Sequence, residues 1–217
     1  MEWFFMFLEK IIKWSGEISM PWKKKILQAE EIRKALELAE EIDTILVTSG
    51  GEGSNLLFKF LPGKFKFTHS GMGLGDEKVF DATRIGVDTR DLLKILNGYY
   101  RVAILRPKLT EEEKELVRKK IKEITELDKN DNIEYNYRMI GINLRKDGAP
   151  ESTTCSQFVR VLYNAGREGF IGLKNPVGFL PGKFFKRFET VSPNDLYDLD
   201  KFELIYDSEI DRGNKNG

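Results

Sequence analysis

Phe67-Thr68-His69-Ser70-Gly71-Met72-Gly73-Leu74, then Gly75-Asp76-Glu77, then Lys78-Val79-Phe80-Asp81-Ala82-Thr83 is the stretch on which the reading of this chain turns. Residues 65–74 and 78–83 carry strand signals, and the glycine and acidic residues between them suit a tight turn. The stretch therefore predicts two antiparallel strands. Side chains alternate across a strand, so Phe65, Phe67, His69, Gly71 and Gly73 share one face, and Thr68, Ser70, Met72 and Leu74 share the other. The turn brings Asp81 across from His69. A histidine flanked by glycines on its own face is expected to have open space beside it, as a substrate groove would need.

His69 is the only histidine of the 217 residues, and Cys155 is the only cysteine. Cys155 lies in Ser152-Thr153-Thr154-Cys155-Ser156-Gln157-Phe158-Val159, where a polar run gives way to helical spacing through Leu162 and Tyr163. Ser152, Thr153 or Thr154 can cap that helix, which leaves Cys155 in its first turn. There the helix dipole favours a thiolate, and the Cys155 backbone N–H is free to serve as an oxyanion donor. Each residue taken singly also reads as structural: a buried cysteine, a hydrogen-bonded histidine, an aspartate on a sheet edge. Taken together, a thiol at a helix start, an imidazole on a strand and a carboxylate on the next strand make a nucleophile, a base and a group that orients the base.

Other chemistries find less support. Gly50, Gly51 and Gly53 lack the Gly-Lys-Ser/Thr ending of a phosphate loop, and no Gly-x-Ser-x-Gly elbow is present. One cysteine and one histidine give no metal-ligand spacing, so no metal and no cofactor is expected. Lys plus Arg equals Asp plus Glu at 35 each, which leaves no net basic charge to steer nucleic acid. A lone cysteine excludes an intrachain disulfide and fits a reducing compartment.

Outward from the hairpin, Thr44-Ile45-Leu46-Val47 opens the core as a β-branched run, and Tyr99 to Leu105 reads as a strand ended by Pro107. Asp88 or Thr89 is expected to cap a short helix through Leu96. Thr110 and Glu113 form a capping-box pattern for a helix to about Leu127. Ser192-Pro193 opens a short helix, and Phe202 to Tyr206 is the last strand. Three segments follow: an N-terminal helical extension over 1–42, a core domain over 43–207 and a flexible tail over 208–217. Residues 1–14 hold Trp3, Phe4, Phe5, Met6, Phe7 and Leu8 but are interrupted by Glu9-Lys10 and lack a cleavage site. That is too short to span a membrane and unlike a secretory signal. Two readings stay open for it: packing on the domain or a partner, or lying in a membrane interface. The expected location is cytoplasmic, with peripheral membrane association open. The shared hexapeptide Phe-Leu-Pro-Gly-Lys-Phe at 60–65 and 179–184 is too short for a repeat and reads as two turns.

The order of these pieces resembles the permuted papain-like amidases related to the NlpC-type hydrolases, in particular the YiiX/YebB-like group, where the histidine strand precedes the cysteine helix. The matching residues are Thr44-Ile45-Leu46-Val47, Thr68-His69-Ser70-Gly71-Met72, Val79-Phe80-Asp81-Ala82-Thr83 with Gly86-Val87, Arg101 to Pro107, Tyr135-Asn136-Tyr137, Cys155-Ser156-Gln157-Phe158-Val159, and Ser192 to Leu196 before Phe202 to Tyr206. The resemblance implies an α+β papain-like domain with a central antiparallel sheet. It implies Cys155 as nucleophile, His69 as general base and acid, and Asp81 in the polar third position, where the family commonly carries Glu. Gln157 likewise stands where Glu is frequent. The implied activity is a cysteine amidase or peptidase acting on a peptide amide or a lipid-linked acyl group. A papain-fold scaffold without catalysis and an interfacial lipid acyltransferase are the alternatives.

Overall fold

The computed structural model describes residues 26–49, 67–83, 86–131, 134–135, 143–144, 150–153, 155–172 and 191–215. Its centre is one open six-stranded sheet built from β1 (Thr44–Ser49), β2 (His69–Gly75), β3 (Lys78–Thr83), β4 (Gly86–Asp91), β5 (Tyr99–Pro107) and a late strand, Phe202–Asp207. The spatial order is β4-β3-β2-β1-β5 and then the late strand, with every neighbouring pair antiparallel. The helices are α1 (Ala29–Leu38), α2 (Leu92–Leu96), α3 (Glu111–Asp131), α4 (Cys155–Gly166) and α5 (Ser208–Lys215). A 3-10 turn, Pro193–Leu196, precedes the late strand. Three short strands, β6 (Glu134–Tyr135), β7 (Asn143–Leu144) and β8 (Pro150–Thr153), make a second sheet in the order β6-β8-β7. The late strand is thus β9. The chain is α+β, with helices set on both faces of an antiparallel sheet.

That double cover explains the sequence of the central strands. Leu46, Met72, Phe80 and Ala103 pack with Phe158, Leu162 and Tyr163 of α4 and Val117 of α3. Ile45, Val47, Val79, Val102 and Ile104 pack the other way, against Leu27 and Ala35 beside and on α1 and Leu92, Ile95 and Leu96 of α2. A strand buried on both faces needs apolar residues in succession, hence Ile45-Leu46-Val47 and Val102-Ala103-Ile104-Leu105.

The entry into β1 is held from the α4 side. Ile42 adopts φ +70°, a conformation that a β-branched residue rarely takes and that costs about 1–3 kcal/mol. Its N–H donates to Gly73 O at 2.8 Å, and its carbonyl accepts the Tyr163 hydroxyl at 2.6 Å. The Thr44 hydroxyl completes this buried chain, 2.7 Å from the Tyr163 oxygen. Asp43 beside it is fully buried and takes Arg106 on both oxygens at 3.0 Å and the Glu40 N–H at 2.9 Å. Burial pushes the Asp43 carboxyl above its ordinary range although Arg106 pulls the other way. Gly73 is required here, because a Cβ would lie 2.3 Å from the Glu40 carbonyl oxygen.

Two expectations change. Residues 86–91 form an edge strand, not a helix start; the helix begins only at Leu92, after Asp91. Val87 alone of that strand's described side chains is buried, so the segment carried little strand signal, and its polar residues suit an exposed edge. The tail expected to be flexible over 208–217 is helical from Ser208 to Lys215. The Ser208 hydroxyl accepts the Val102 N–H at 3.1 Å, Lys34 pairs with Asp211 at 2.9 Å, and Arg212 pairs with Glu31 and donates to Tyr100 O at 2.8 Å. The sequence also reads as a short helix at 54–61 and a Gly/Phe-rich loop over 167–190; that helix, most of that loop, residues 1–25 and the two hexapeptides lie outside the described residues. Among the described residues, no helix is long and apolar enough to cross a membrane.

Replacing Tyr163 with Phe keeps the ring and removes only the hydroxyl that joins Thr44 to the Ile42 carbonyl. The expected loss is about 1–3 kcal/mol in urea unfolding with an unchanged slope, the cost of stranding buried polar partners. A loss near zero would mean that Ile42 needs no support from α4.

Candidate active site

Cys155 is the first residue of α4, and helix periodicity buries Phe158, Val159 and Leu162 below it. The helix start is fastened by Ser156, whose hydroxyl donates to Val191 O at 2.5 Å. One residue on, Ser192 and Asp195 form the capping box of the 3-10 turn. The turn's Asn194 accepts the Phe67 N–H at 3.0 Å and donates to the Phe67 carbonyl at 3.2 Å. Tyr197 stacks on the Phe67 ring at 5.4 Å, and the Arg101 guanidinium lies over that ring at 4.6 Å. Arg101 is itself anchored on both oxygens of buried Asp207, at 2.7 and 3.2 Å. The backbone two residues before His69 is therefore clamped to the same turn that holds the start of the cysteine helix.

His69 opens β2. Its Nε2 lies 2.7 Å from Asp81 Oδ1. The sheet register pairs Asp81 with Gly71, so His69 and Asp81 are diagonal neighbours on one face. Gly71 makes the contact feasible: a Cβ there would sit 2.5 Å from Val79 Cγ1 and 3.8 Å from Asp81 Cβ. A carboxylate only accepts, so Nε2 carries the hydrogen and Nδ1 is left for the sulfur. The open space expected beside the imidazole is absent among the described residues. Val47, Val79, Asp81 and Ile95 close around the ring and Gly71, leaving a cavity of ≈ 10 Å³, about one water. The glycine serves close packing, not a groove.

Alternation sends Ser70 to the α4 face with Met72. There the start of α4 covers it, and the Cys155 sulfur lies beside both Ser70 and the His69 ring. Burial alone would raise the Cys155 thiol; the His69 charge and hydrogen bond, with help from Ser70, bring it below its ordinary value. Burial alone would lower His69; the Cys155 sulfur and Asp81 lift it well above its ordinary value. Both shifts favour thiolate beside imidazolium. Cys155 is 4 % exposed and the His69 side chain 16 %.

The structure thus brings Cys155, His69 and Asp81 together. Sequence reasoning missed two further members. Ser70 is fully buried, and its Oγ has no oxygen or nitrogen partner; alternation separated it from His69 but gave no sign that the cysteine helix covers its face. Arg90 donates to the second Asp81 oxygen at 3.1 Å. It lies on β4, the strand read as a helix start. Gln157 is buried in the first turn of α4. Among the described residues, no group of three or more His, Cys, Asp or Glu side chains is arranged to hold a metal.

No family model and no curated protein matches the chain. A solved structure does: the crystal structure of the metalloprotein YiiX from Escherichia coli O157:H7 is similar over 78 % of this chain and 97 % of its own, with TM-score 0.53 and 17 % identity. At that identity the likeness is one of fold, and the fold of this chain is YiiX-like.

Proposed function

We propose that this chain is a cysteine hydrolase of the permuted papain-like kind, cleaving an amide or ester through an acyl-enzyme on Cys155. One arrangement carries the reading: the sole imidazole, its Nε2 held by a buried carboxylate, lies close enough to the sole thiol for each to shift the other's ionisation. The YiiX-like fold agrees with the resemblance read from the order of the motifs.

In the proposed cycle the Cys155 thiolate attacks the carbonyl carbon, and the new oxyanion is met by backbone N–H at the start of α4. The His69 imidazolium gives its Nδ1 proton to the departing amine or alcohol, leaving a thioester on Cys155. Water then adds to the thioester as His69 Nδ1 takes its proton, and the acid leaves with Cys155 returned as thiolate. Asp81 keeps the ring oriented and stabilises its charged form. The substrate is a peptide amide or a lipid-linked acyl group. A papain-fold scaffold without turnover is the second reading, favoured by the near-complete burial of the sulfur.

Alkylation by iodoacetamide, followed by intact mass from about pH 5 to pH 9, separates the two. The expected wild-type rate is already high well below the ordinary thiol range and flat above it, because thiol loss of its proton precedes imidazolium loss. In His69→Ala the buried thiol loses its counter-charge, so the rate at pH 6.5 falls about tenfold or more, tenfold for each pKa unit regained. Equal slow labelling of both proteins removes the hydrolase reading.

Asp81→Asn keeps the shape but withdraws the charge, and its amide can present nitrogen to the ring. The alkylation profile should move toward higher pH, by less than in His69→Ala. An unchanged profile would take Asp81 out of the mechanism.

A further inference from the structure

Asp81 is not held by histidine alone. Its side chain is fully buried; Oδ1 takes the His69 ring and Oδ2 takes Arg90, whose side chain is 39 % exposed on edge strand β4. The register sets Asp88 directly across from Asp81, and Arg90 across from Val79. Arg90 therefore shares a face with two opposed carboxylates, one buried and one exposed. Like charges directly opposite repel, and a buried carboxylate needs compensation. The charged or titratable groups around the His69 ring are Asp81 from β3, Cys155 from α4 and Tyr99 from β5, whose ring is parallel to it at 6.4 Å. Among the described residues, the only cation bonded to the Asp81 carboxylate besides the imidazole is Arg90.

We propose that Arg90 is a positioning residue that shares the Asp81 carboxylate with His69, and so limits how tightly that carboxylate holds the imidazolium. This rests on the reading of Cys155, His69 and Asp81 as one catalytic set. The physical need is specific. With its full charge on the ring, a desolvated Asp81 would trap the proton on His69, and acid catalysis to the leaving group would slow. A guanidinium on the far oxygen takes up part of the charge and, as a positive neighbour, eases proton release. It also holds the carboxylate by its second oxygen, so the first stays aimed at Nε2.

Because His69 is the sole histidine, one imidazole resonance reports on it without assignment. The test is an NMR titration of protein labelled with 13C-histidine, in a Cys155→Ser background so that the midpoint belongs to the ring and not to a coupled pair. Arg90→Gln is expected to move the His69 midpoint upward, and Arg90→Lys to return it toward the reference, since Lys restores the charge without the fork. A midpoint that stays put in Arg90→Gln, or falls, overturns the proposal; a fall would make Arg90 only an anchor whose loss lets Asp81 swing away. If Arg90→Gln fails to give folded protein, Arg90→Met, which also removes the charge, is titrated in its place: a rise supports the proposal, and a midpoint that stays put or falls overturns it. The readout is independent of turnover, so it stands or falls apart from the alkylation of Cys155.

Discussion

A carboxylate with no exposure to water, set on a strand between two apolar layers, is the constraint around which the site is arranged. An ion of that size loses several kcal/mol or more of hydration on burial and is kept only where its oxygens are filled. Asp81 follows Val79 and Phe80 and precedes Ala82, in the middle of a buried strand. Its two oxygens are filled from the strands on either side, by His69 of β2 and Arg90 of β4. Everything nearby is subordinate to that contact. Gly71 gives up its side chain so that the carboxylate can cross to the diagonal residue, and Val79 fills the space so gained.

The second constraint is topological. α4 packs on one face of the sheet, and Asp81 points to the other, where α2 closes the layer. Thiol and carboxylate thus belong to opposite sides of β2. A side chain in mid-strand meets only one of these layers. His69 is the first residue of β2, and its ring meets the sulfur and the carboxylate alike. That position must be held against slippage, since a one-residue shift would exchange the roles of His69 and Ser70. The clamp on Phe67 by Asn194, Tyr197 and Arg101 supplies the hold, and through Val191 and Ser156 the same turn fixes the start of α4. Cys155 and His69 are registered against one common element.

What the sequence disclosed follows from the range of the interactions involved. β1 and β5 were legible because burial on both faces writes itself as unbroken apolar runs. The start of α3 was legible because Thr110 and Glu113 cap it locally, at 2.8 and 3.3 Å. The His69–Asp81 pair was legible because a short turn sets the hairpin. β4 was not, because its order comes from pairing with β3 and not from its own composition. Arg90 was lost with it. α5 was not legible either: its ties to Lys34 and Glu31 join residues 177 and 181 positions apart. The glycines beside His69 were misread for a related reason, since a missing side chain signals open space or close packing equally well until the neighbours are known.

Comparison among the buried carboxylates sets Asp81 apart. Asp43 receives both donors of Arg106 and a backbone N–H, and it steadies the strained turn at Ile42. Asp207 receives both donors of Arg101, with the Tyr197 hydroxyl and the Glu209 N–H added. Each is closed by a bidentate guanidinium, the arrangement that compensates burial most fully. Asp81 has the same burial but a split coordination, one oxygen on an arginine and one on a titratable ring. A fold that needed only neutralisation would have repeated the fork. The split compensates the buried charge less completely than a fork does. Compensation of burial alone does not call for the split, which is the arrangement expected if, as proposed, His69 exchanges a proton with the sulfur.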